Sequence, residues 1–187
     1  MLACAPSNSA ADLITTKLSA TLDDKKLFRF NAPSRRTKEI PAGVLKYSHF
    51  APTKGDQQSH FGVPLPVDEV KLFRVVVSTC ISGSFAHFIE IPRGHFTHIF
   101  IDEAGHATEP ESLVSIKTLA DAKTNIVLTG DPKQLGPVIQ SPIARQLGLQ
   151  TSYLERLMER EAYSVENYSG VTYVHSFSCP GSLPHFM

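Results

Sequence analysis

The stretch HIFIDEAG, residues 98–105, decides the fold. It is a short apolar run that ends in two adjacent acids, Asp102 and Glu103. A strand that is apolar on both faces is typical of a parallel sheet covered by helices, and open sheets of this kind bind ligands at the carboxyl ends of their strands. The sequence therefore predicts both acids at a ligand-binding edge, although an isolated pair of acids also serves to solubilise the end of a strand.

A second apolar run supports this prediction. NIVLT, residues 125–129, continues into the polar turn GDPKQLGP, and Gly130 follows Asp102 by 28 residues. If the two strands are parallel, both turns reach the same edge of one sheet. An acid there can hold Mg²⁺ or reach a water, and the Gln134 amide can donate to a phosphate oxygen and accept from water. The other interpretation is a simple Gly-Asp-Pro turn that leaves Gln134 exposed.

Further runs complete an α/β prediction. LACA at residues 2–5 and RVVVST at 74–79 are predicted strands, and apolar residues recur at helical spacing over 10–18, 109–120 and 152–161. Residues 31–66 differ, because they contain five prolines and three glycines and show little periodicity. They are predicted to form a long irregular insert.

Composition narrows the classes of protein. With 187 residues, of which 42% are hydrophobic, the chain suits one domain or part of one. Its apolar runs are far shorter than the roughly 20 residues of a membrane span, and its N-terminus lacks the pattern of a signal peptide, so no membrane contact is expected. Three scattered cysteines indicate a reducing compartment. His175, Cys179 and His185 lack a fourth zinc ligand nearby, and an unstructured tail is the favoured interpretation.

Charge is balanced overall but not locally. Lys plus Arg and Asp plus Glu each number 18, so no global field attracts nucleic acid. Residues 17–46 nevertheless hold eight basic side chains against three acidic ones. A solvated surface is the ordinary interpretation of such a segment, and contact with a phosphate backbone is the alternative. The basic residues are Lys17, Lys25, Lys26, Arg29, Arg35, Arg36, Lys38 and Lys46.

The motifs in combination resemble those of a known family. IDEAG followed by LTGDPKQLGPVI, with APSNSAADL upstream and SYLERL downstream, resembles superfamily 1 helicases of the group that includes the nonsense-decay helicase. The similarity is strongest to the Armitage-type RNA helicases of RNA silencing, including the plant silencing-defective helicase. It covers about residues 2–161 and implies a RecA-like P-loop NTPase fold, with a parallel sheet and flanking helices.

The resemblance assigns roles to particular residues. Pro6, Ser7 and Asn8 match the family's motif Ia, which touches the nucleic-acid backbone, and Ser78 and Thr79 match the following strand-end motif near the RNA. The cofactors implied are ATP and Mg²⁺.

The acids and the polar turn match the nucleotide motifs. By this match, Asp102 is expected to be the acid on the Mg²⁺ side, holding the ion through water, and Glu103 to be the residue that activates the attacking water. Gly130, Asp131 and Gln134 match the motif that couples the γ-phosphate to the RNA channel.

The sequence also departs from the family. A phosphate-binding loop of the form GxxxxGK[ST] occurs nowhere in the 187 residues. We therefore expect an incomplete fold without the P-loop strand and the second RecA-like domain: residues 1–161 as part of the first RecA-like domain, with the insert at about 31–66, and residues 162–187 as a divergent, disordered tail. The resemblance implies that the missing strand lies beside the strand at 98–102, so residues 99–101 are expected to lack a partner on one side.

Two functions follow from these expectations. The first is a fragment of an ATP-dependent RNA helicase of the RNA-silencing type, inactive as an isolated chain because the P-loop and the arginine fingers are absent. The alternative is a non-catalytic RNA-binding or interaction module. The resemblance implies RNA as a partner, together with silencing proteins of the Argonaute type, and a cytoplasmic location that includes ribonucleoprotein granules.

Overall fold

The computed structural model describes residues 1–53, 56–62, 65–131, 135–160 and 163. The strands are β1 (Leu2–Ala5), β2 (Leu27–Arg29), β3 (Phe50–Thr53), β4 (Asp56–Gly62), β5 (Val75–Thr79), β6 (His98–Ile101) and β7 (Asn125–Leu128). The helices are α1 (Asn8–Leu18), α2 (Ala42–Leu45), α3 (Val67–Val70), α4 (Phe85–Phe88), α5 (Glu109–Leu119), α6 (Pro142–Gln146) and α7 (Tyr153–Met158). Single 3₁₀ turns occupy Thr37–Glu39 and Ser82–Ser84.

Five strands form one parallel sheet in the order β2-β5-β1-β6-β7. The predicted fold class, an α/β parallel sheet with flanking helices, is confirmed and is consistent with an incomplete RecA-like fold. Side chains alternate between the two faces of each strand. In β6, Ile99 and Ile101 pack with Leu119 and Leu154 on one face, while Phe100 packs on the other face with the cluster that surrounds α1.

The expectation of an unpaired strand at residues 99–101 is wrong. Ile99 is aligned with Leu2 of β1 on one side and with Ile126 of β7 on the other. The reason is that the strand leading into the polar turn takes the place we expected to be empty. Within the described part of the chain, the edges of this sheet are β2 and β7, and Ile126 and Val127 on β7 are partly exposed.

Helix starts follow capping chemistry. The Ser7 hydroxyl accepts a hydrogen bond from the backbone N–H of Ala10 at the start of α1, and the Ser152 hydroxyl accepts one from Glu155 at the start of α7. Thr108 and Glu111 bond each other's backbone N–H in a capping box at the start of α5. These caps fix where the chain turns from the sheet into a helix.

The segment predicted to be an irregular insert has regular structure. It contains a 3₁₀ turn, the short helix α2 and an antiparallel pair formed by β3 and β4. Prolines begin helices here, because Pro41 caps α2 and Pro66 caps α3. A proline has no N–H to leave unsatisfied at such a start. The high proline count therefore indicated where short elements begin, not that the segment lacks regular structure.

Three earlier expectations lie on residues that the structure does not describe. The tail 162–187, apart from Tyr163, is outside the described residues, and so are Gln134 and the group formed by His175, Cys179 and His185. The boundaries proposed for the domain and its tail remain predictions. In the described part of the chain, no helix combines the length and the apolar character needed to cross a membrane.

Candidate functional site

The carboxyl ends of the parallel strands meet at one edge of the sheet. Because β5, β1, β6 and β7 are neighbours in that order, their loops follow one another along this edge. We call the ends of β6 and β7 the acidic half: Asp102, Glu103, Thr129, Gly130 and Asp131. We call the ends of β1 and β5 the neutral half: Pro6, Ser7, Asn8, Ser78 and Thr79.

Asp102 is held in place by the two neighbouring strands. Its backbone N–H donates to the Cys4 carbonyl at 2.8 Å, and the Thr129 hydroxyl donates to its Oδ1 at 2.5 Å. The carboxylate is partly buried at the end of β6. Its orientation is therefore fixed from the β7 side, as a ligand for a cation requires.

Glu103 has an unusual backbone conformation. Its φ is +54°, in the left-handed region that non-glycine residues rarely adopt and that costs about 1–3 kcal/mol. Its side chain is 49% exposed, and its Oε2 lies 3.6 Å from Nε2 of His106. Strain of this kind persists at functional sites, where it directs a side chain. Our sequence reasoning missed His106, although its position three residues after Glu103 in the same turn was a usable signal.

Gly130 brings the β7 turn against the acids. Its φ is +149°, and a Cβ atom there would lie 3.0 Å from the Ala104 nitrogen and 3.1 Å from the Gly105 nitrogen. The Ala104 N–H also donates to the Thr129 carbonyl at 2.7 Å. Only a residue without a side chain allows this approach, so the structure brings Gly130 and the two acids together as the sequence suggested.

Ser7 and Asn8 are exposed in the neutral half. Ser7 caps α1, and its hydroxyl lies 3.0 Å from the Ser9 hydroxyl. The Asn8 Oδ1 accepts a hydrogen bond from Nη2 of Arg29 at 2.9 Å. Pro6, just before them, is partly buried. These residues lie at the edge where an RNA backbone contact was predicted.

Thr79 and Ser78 differ in access. The Thr79 side chain is partly exposed, and its hydroxyl donates to the Ser82 hydroxyl at 2.8 Å. Ser78 is 0% exposed, and its hydroxyl donates to the Thr79 carbonyl at 3.0 Å. Ser78 has no surface for RNA in this structure because its side chain points into the sheet core. The Ser78 side chain therefore makes no direct RNA contact in this structure, and its position near the RNA stays a prediction.

Two arginines of the basic segment are buried in an ion-pair cluster. We define the arginine cluster as Asp12, Arg29 and Arg35. Arg29 Nε lies 3.0 Å from Asp12 Oδ1, and Arg35 contacts both oxygens of the same carboxylate. The exposed fractions are 4% for Asp12, 0% for Arg29 and 6% for Arg35. The suggestion that these two arginines belong to a surface for phosphate contact is therefore wrong.

Burial and pairing act against each other in the arginine cluster. Burial lowers the pKa of Arg29 to about 10, although the charge and hydrogen bond of Asp12 oppose the change. Burial alone would raise the pKa of Asp12, but Arg35 and Arg29 more than offset it and hold the pKa below its usual value. A groove of about 540 Å³ lies beside the cluster, lined in part by Asn8, Asp12 and Arg35.

The described residues fit a cation shared with a ligand, not a closed metal centre. In that part of the chain, no group of three or more His, Cys, Asp or Glu side chains could hold a metal ion. Magnesium in nucleotide sites keeps several waters and is held by one or two carboxylates together with substrate phosphates. A single oriented carboxylate, Asp102, fits that arrangement.

The chain is similar to known RNA helicases. A family model described as an AAA domain matches residues 66–142. The "RNA helicase Mov10l1" of Homo sapiens is 40% identical over 179 residues, which cover 94% of this chain and 14% of that protein. The same-named protein of Mus musculus is 40% identical over 165 residues, covering 87% of this chain and 13% of that protein. The "Probable RNA helicase armi" of Drosophila melanogaster is 35% identical over 171 residues, covering 84% of this chain and 14% of that protein. The chain thus spans about a seventh of the length of these relatives.

Proposed function

Since the chain is related over most of its length to superfamily 1 RNA helicases of the Mov10l1 and Armitage kind, as its motifs predicted, we propose that it forms part of an ATP-dependent RNA helicase. The acidic half of the sheet edge serves ATP hydrolysis and the neutral half contacts the RNA backbone. The observation that carries this proposal is the strand order, which sets the two halves side by side on adjacent strands. Because β1 and β6 are hydrogen-bonded neighbours, a shift caused by ATP at one half can be passed directly to the RNA contact at the other.

In the acidic half, Asp102 and Glu103 have different tasks. Mg²⁺ bound with ATP neutralises charge on the phosphates. Asp102, oriented by Thr129, would hold that ion through water. Glu103 carries an exposed carboxylate that can accept the proton of an attacking water, which is the work of a general base.

The polar turn after β7 completes the acidic half in this proposal. Gly130 and Asp131 directly follow Thr129, which comes just after β7 and whose hydroxyl orients Asp102. Gln134, three residues further along the turn, is proposed as the γ-phosphate contact that couples RNA binding to turnover. A neutral amide suits this task because it both donates and accepts.

In the neutral half, the contacts are made to phosphates and not to bases. Phosphate oxygens only accept hydrogen bonds, and the Ser7 hydroxyl and the Asn8 amide can donate to them. Pro6 restricts the backbone between β1 and α1. Thr79 lies at the end of β5, next to the loop that follows β1. Contacts of this type carry no sequence information, so binding is proposed to be sequence-independent.

The biological setting follows from the relatives. We place the parent protein in RNA silencing, with RNA and Argonaute-type proteins as partners and with the cytoplasm and ribonucleoprotein granules as its location. The 187 residues contain no GxxxxGK[ST] loop, and this favours a second candidate function for the isolated chain: RNA binding or protein interaction without ATP turnover.

RNA affinity as a function of salt tests the proposal. Fluorescence anisotropy with a labelled single-stranded RNA should show weak binding that falls steeply between about 50 and 200 mM salt. Arg36→Ala with Lys38→Ala should reduce the salt slope, because both side chains are exposed and their chain neighbours Arg35 and Glu39 line the groove that Asn8 also lines. The matched control is Lys117→Ala with Lys123→Ala, since Lys123 precedes β7 at the opposite edge. Equal affinity at both salt concentrations would contradict an electrostatic contact.

A further inference from the structure

We propose that Arg29 is a positioning residue for RNA binding, which acts by fixing the orientation of the Asn8 amide. This inference rests on the proposed RNA contact of the neutral half and adds a residue to it. Arg29 has no exposed surface, so it cannot touch RNA itself. Its effect must pass through a side chain that it contacts.

Every edge of the Arg29 guanidinium has an acceptor. Nε donates to Asp12 Oδ1 at 3.0 Å, Nη1 donates to the Phe30 carbonyl, and Nη2 donates to Asn8 Oδ1 at 2.9 Å. The first bond holds the arginine against α1, and the second turns its guanidinium back onto the chain just after β2. The third reaches outward to the first residue of α1, at the sheet edge. Arg29 thus links the buried cluster to the exposed loop.

The direction of this bond fixes the Asn8 amide. A guanidinium has only donors, so it must face the carbonyl oxygen of the amide and not its nitrogen. Phosphate oxygens have only acceptors, so a phosphate needs the amide nitrogen. With Oδ1 bonded to Arg29, Nδ2 is the amide atom left to donate to a phosphate, and Asn8 is exposed. The same orientation therefore satisfies both partners, and the amide does not need to reorient when RNA binds.

Arg35 makes this arrangement rigid. It contacts both oxygens of Asp12, and it also donates to Asn31 Oδ1 at 2.8 Å and to the Glu39 carbonyl at 3.2 Å. Two guanidiniums share one carboxylate, so the cluster keeps one positive charge in excess. Asp12 and Arg35 line the same groove as Asn8, and Arg29 bonds Asn8 directly, so this charge favours an anion at Asn8.

A double-mutant cycle in the full 187-residue chain tests the inference. The variants are Asn8→Ala, Arg29→Lys and the two combined, and the probe is a fluorescein-labelled oligouridylate measured by anisotropy. Lysine keeps the charge but cannot make the three bonds of the guanidinium at once. Asn8→Ala should weaken binding about tenfold, as expected for a hydrogen bond to a charged group. Arg29→Lys should weaken it several-fold, and the double variant should bind no more weakly than Asn8→Ala.

A structural role would give a different result. If Arg29→Lys acted only by loosening the fold, it would lower the affinity by the same factor in both backgrounds, and the proposal would be overturned. Arg156→Lys is the matched control, because Arg156 pairs with Glu109 between α7 and α5, outside both halves of the edge. It should leave the affinity unchanged.

A second variant keeps the test decisive if Arg29→Lys fails to fold. Asn8→Asp retains an oxygen for Arg29 but loses the outward donor, so it should bind RNA at least tenfold more weakly and keep the melting temperature. Wild-type affinity in Asn8→Asp would overturn the inference. Absence of RNA binding by the wild-type chain would instead overturn the proposed function on which the inference rests.

Discussion

The two halves of the sheet edge are held in place by different means. Behind the neutral half lies the arginine cluster, whose buried ion pairs hold Asn8 from within the described chain. Among the described residues, the acidic half is held by backbone bonds and weaker side-chain contacts: the Thr129 hydroxyl orients Asp102, and a 3.6 Å contact links Glu103 to His106. In the described sheet, β7 is an edge strand. The residues of the arginine cluster therefore preorganise the RNA contact that we propose for the neutral half. For the nucleotide site, in contrast, the family resemblance implies further parts from a P-loop and a second RecA-like domain.

The largest effect should come from the acidic half. In a helicase that joins these residues to a P-loop, Glu103→Gln should lower RNA-stimulated ATP hydrolysis by about 10²–10⁴-fold, because an amide cannot accept the proton of water as a base. Binding of Mg²⁺ and ATP should remain, and steady-state hydrolysis with a parallel nucleotide titration measures both. The 187-residue chain itself should show no turnover. If the chain did hydrolyse ATP in response to RNA, and Glu103→Gln abolished that hydrolysis, the acidic half would be a complete site and the contrast between the halves would be wrong.

The second effect concerns the stability of the neutral half. Asp12→Ala leaves two buried guanidiniums without their carboxylate, and breaking a buried ion pair costs about 3–5 kcal/mol. Urea denaturation should show this loss in the free energy of unfolding. Asp68→Ala is the control, because its contact with Lys71 is exposed, and it should leave stability unchanged. An Asp12→Ala variant as stable as wild type would show that the arginine cluster does not stabilise the neutral half.

The same carboxylate predicts a pH dependence. The pKa of Asp12 is lowered in the folded chain, so its ionised form stabilises the fold above the unfolded value near 3.9, and this contribution disappears only as the pH falls through the lower folded value. The difference in unfolding free energy between wild type and Asp12→Ala should stay constant from pH 7 to about 5. A difference that shrinks across that range would mean that the pair is solvated.

The contact between the two turns of the acidic half should have an intermediate effect. Gly130→Ala places a Cβ atom against the backbone nitrogens of Ala104 and Gly105 at a φ of +149°, and should cost about 1–3 kcal/mol. Gly43→Ala is the matched control, because a Cβ atom there meets nothing within 4 Å and Gly43 lies in helix α2. That control should gain up to about 1 kcal/mol. Equal stability of the two variants in urea denaturation would contradict the close approach at Gly130.

The smallest effect should come from His106. His106→Ala removes a 3.6 Å contact to a half-exposed carboxylate, and such pairs contribute less than about 1 kcal/mol. A change of several kcal/mol in urea denaturation would show that the acidic half is as firmly built as the neutral half. The contrast drawn above would then be wrong.

Sequence reasoning succeeded where a local pattern determines structure. The β-branched runs of β5, β6 and β7 predicted a parallel sheet, and the position of Asp102 and Glu103 directly after β6 predicted the edge on which they lie. The Ser7 and Ser152 caps were also predictable, because the hydrogen bonds span only three residues.

The predictions that failed depended on contacts between residues far apart in the sequence. The burial of Arg29 and Arg35 depends on Asp12 of α1, which lies 17 and 23 residues away along the chain. No local signal separates such arginines from a solvated basic segment. The second partner of β6 likewise depended on which strand takes the neighbouring place in the sheet, and neither composition nor periodicity contains that information.

The most direct test of the divided edge is photocrosslinking of the 187-residue chain to a single-stranded RNA that contains 4-thiouridine, followed by mass spectrometry of the adducts. We expect adducts in residues 6–9 and 79–81, both suppressed by unlabelled RNA and weakened by Asn8→Ala. Adducts confined to the opposite edge, such as residues 93–97 and 122–125, with the loops after β1 and β5 unmodified, would contradict the divided edge.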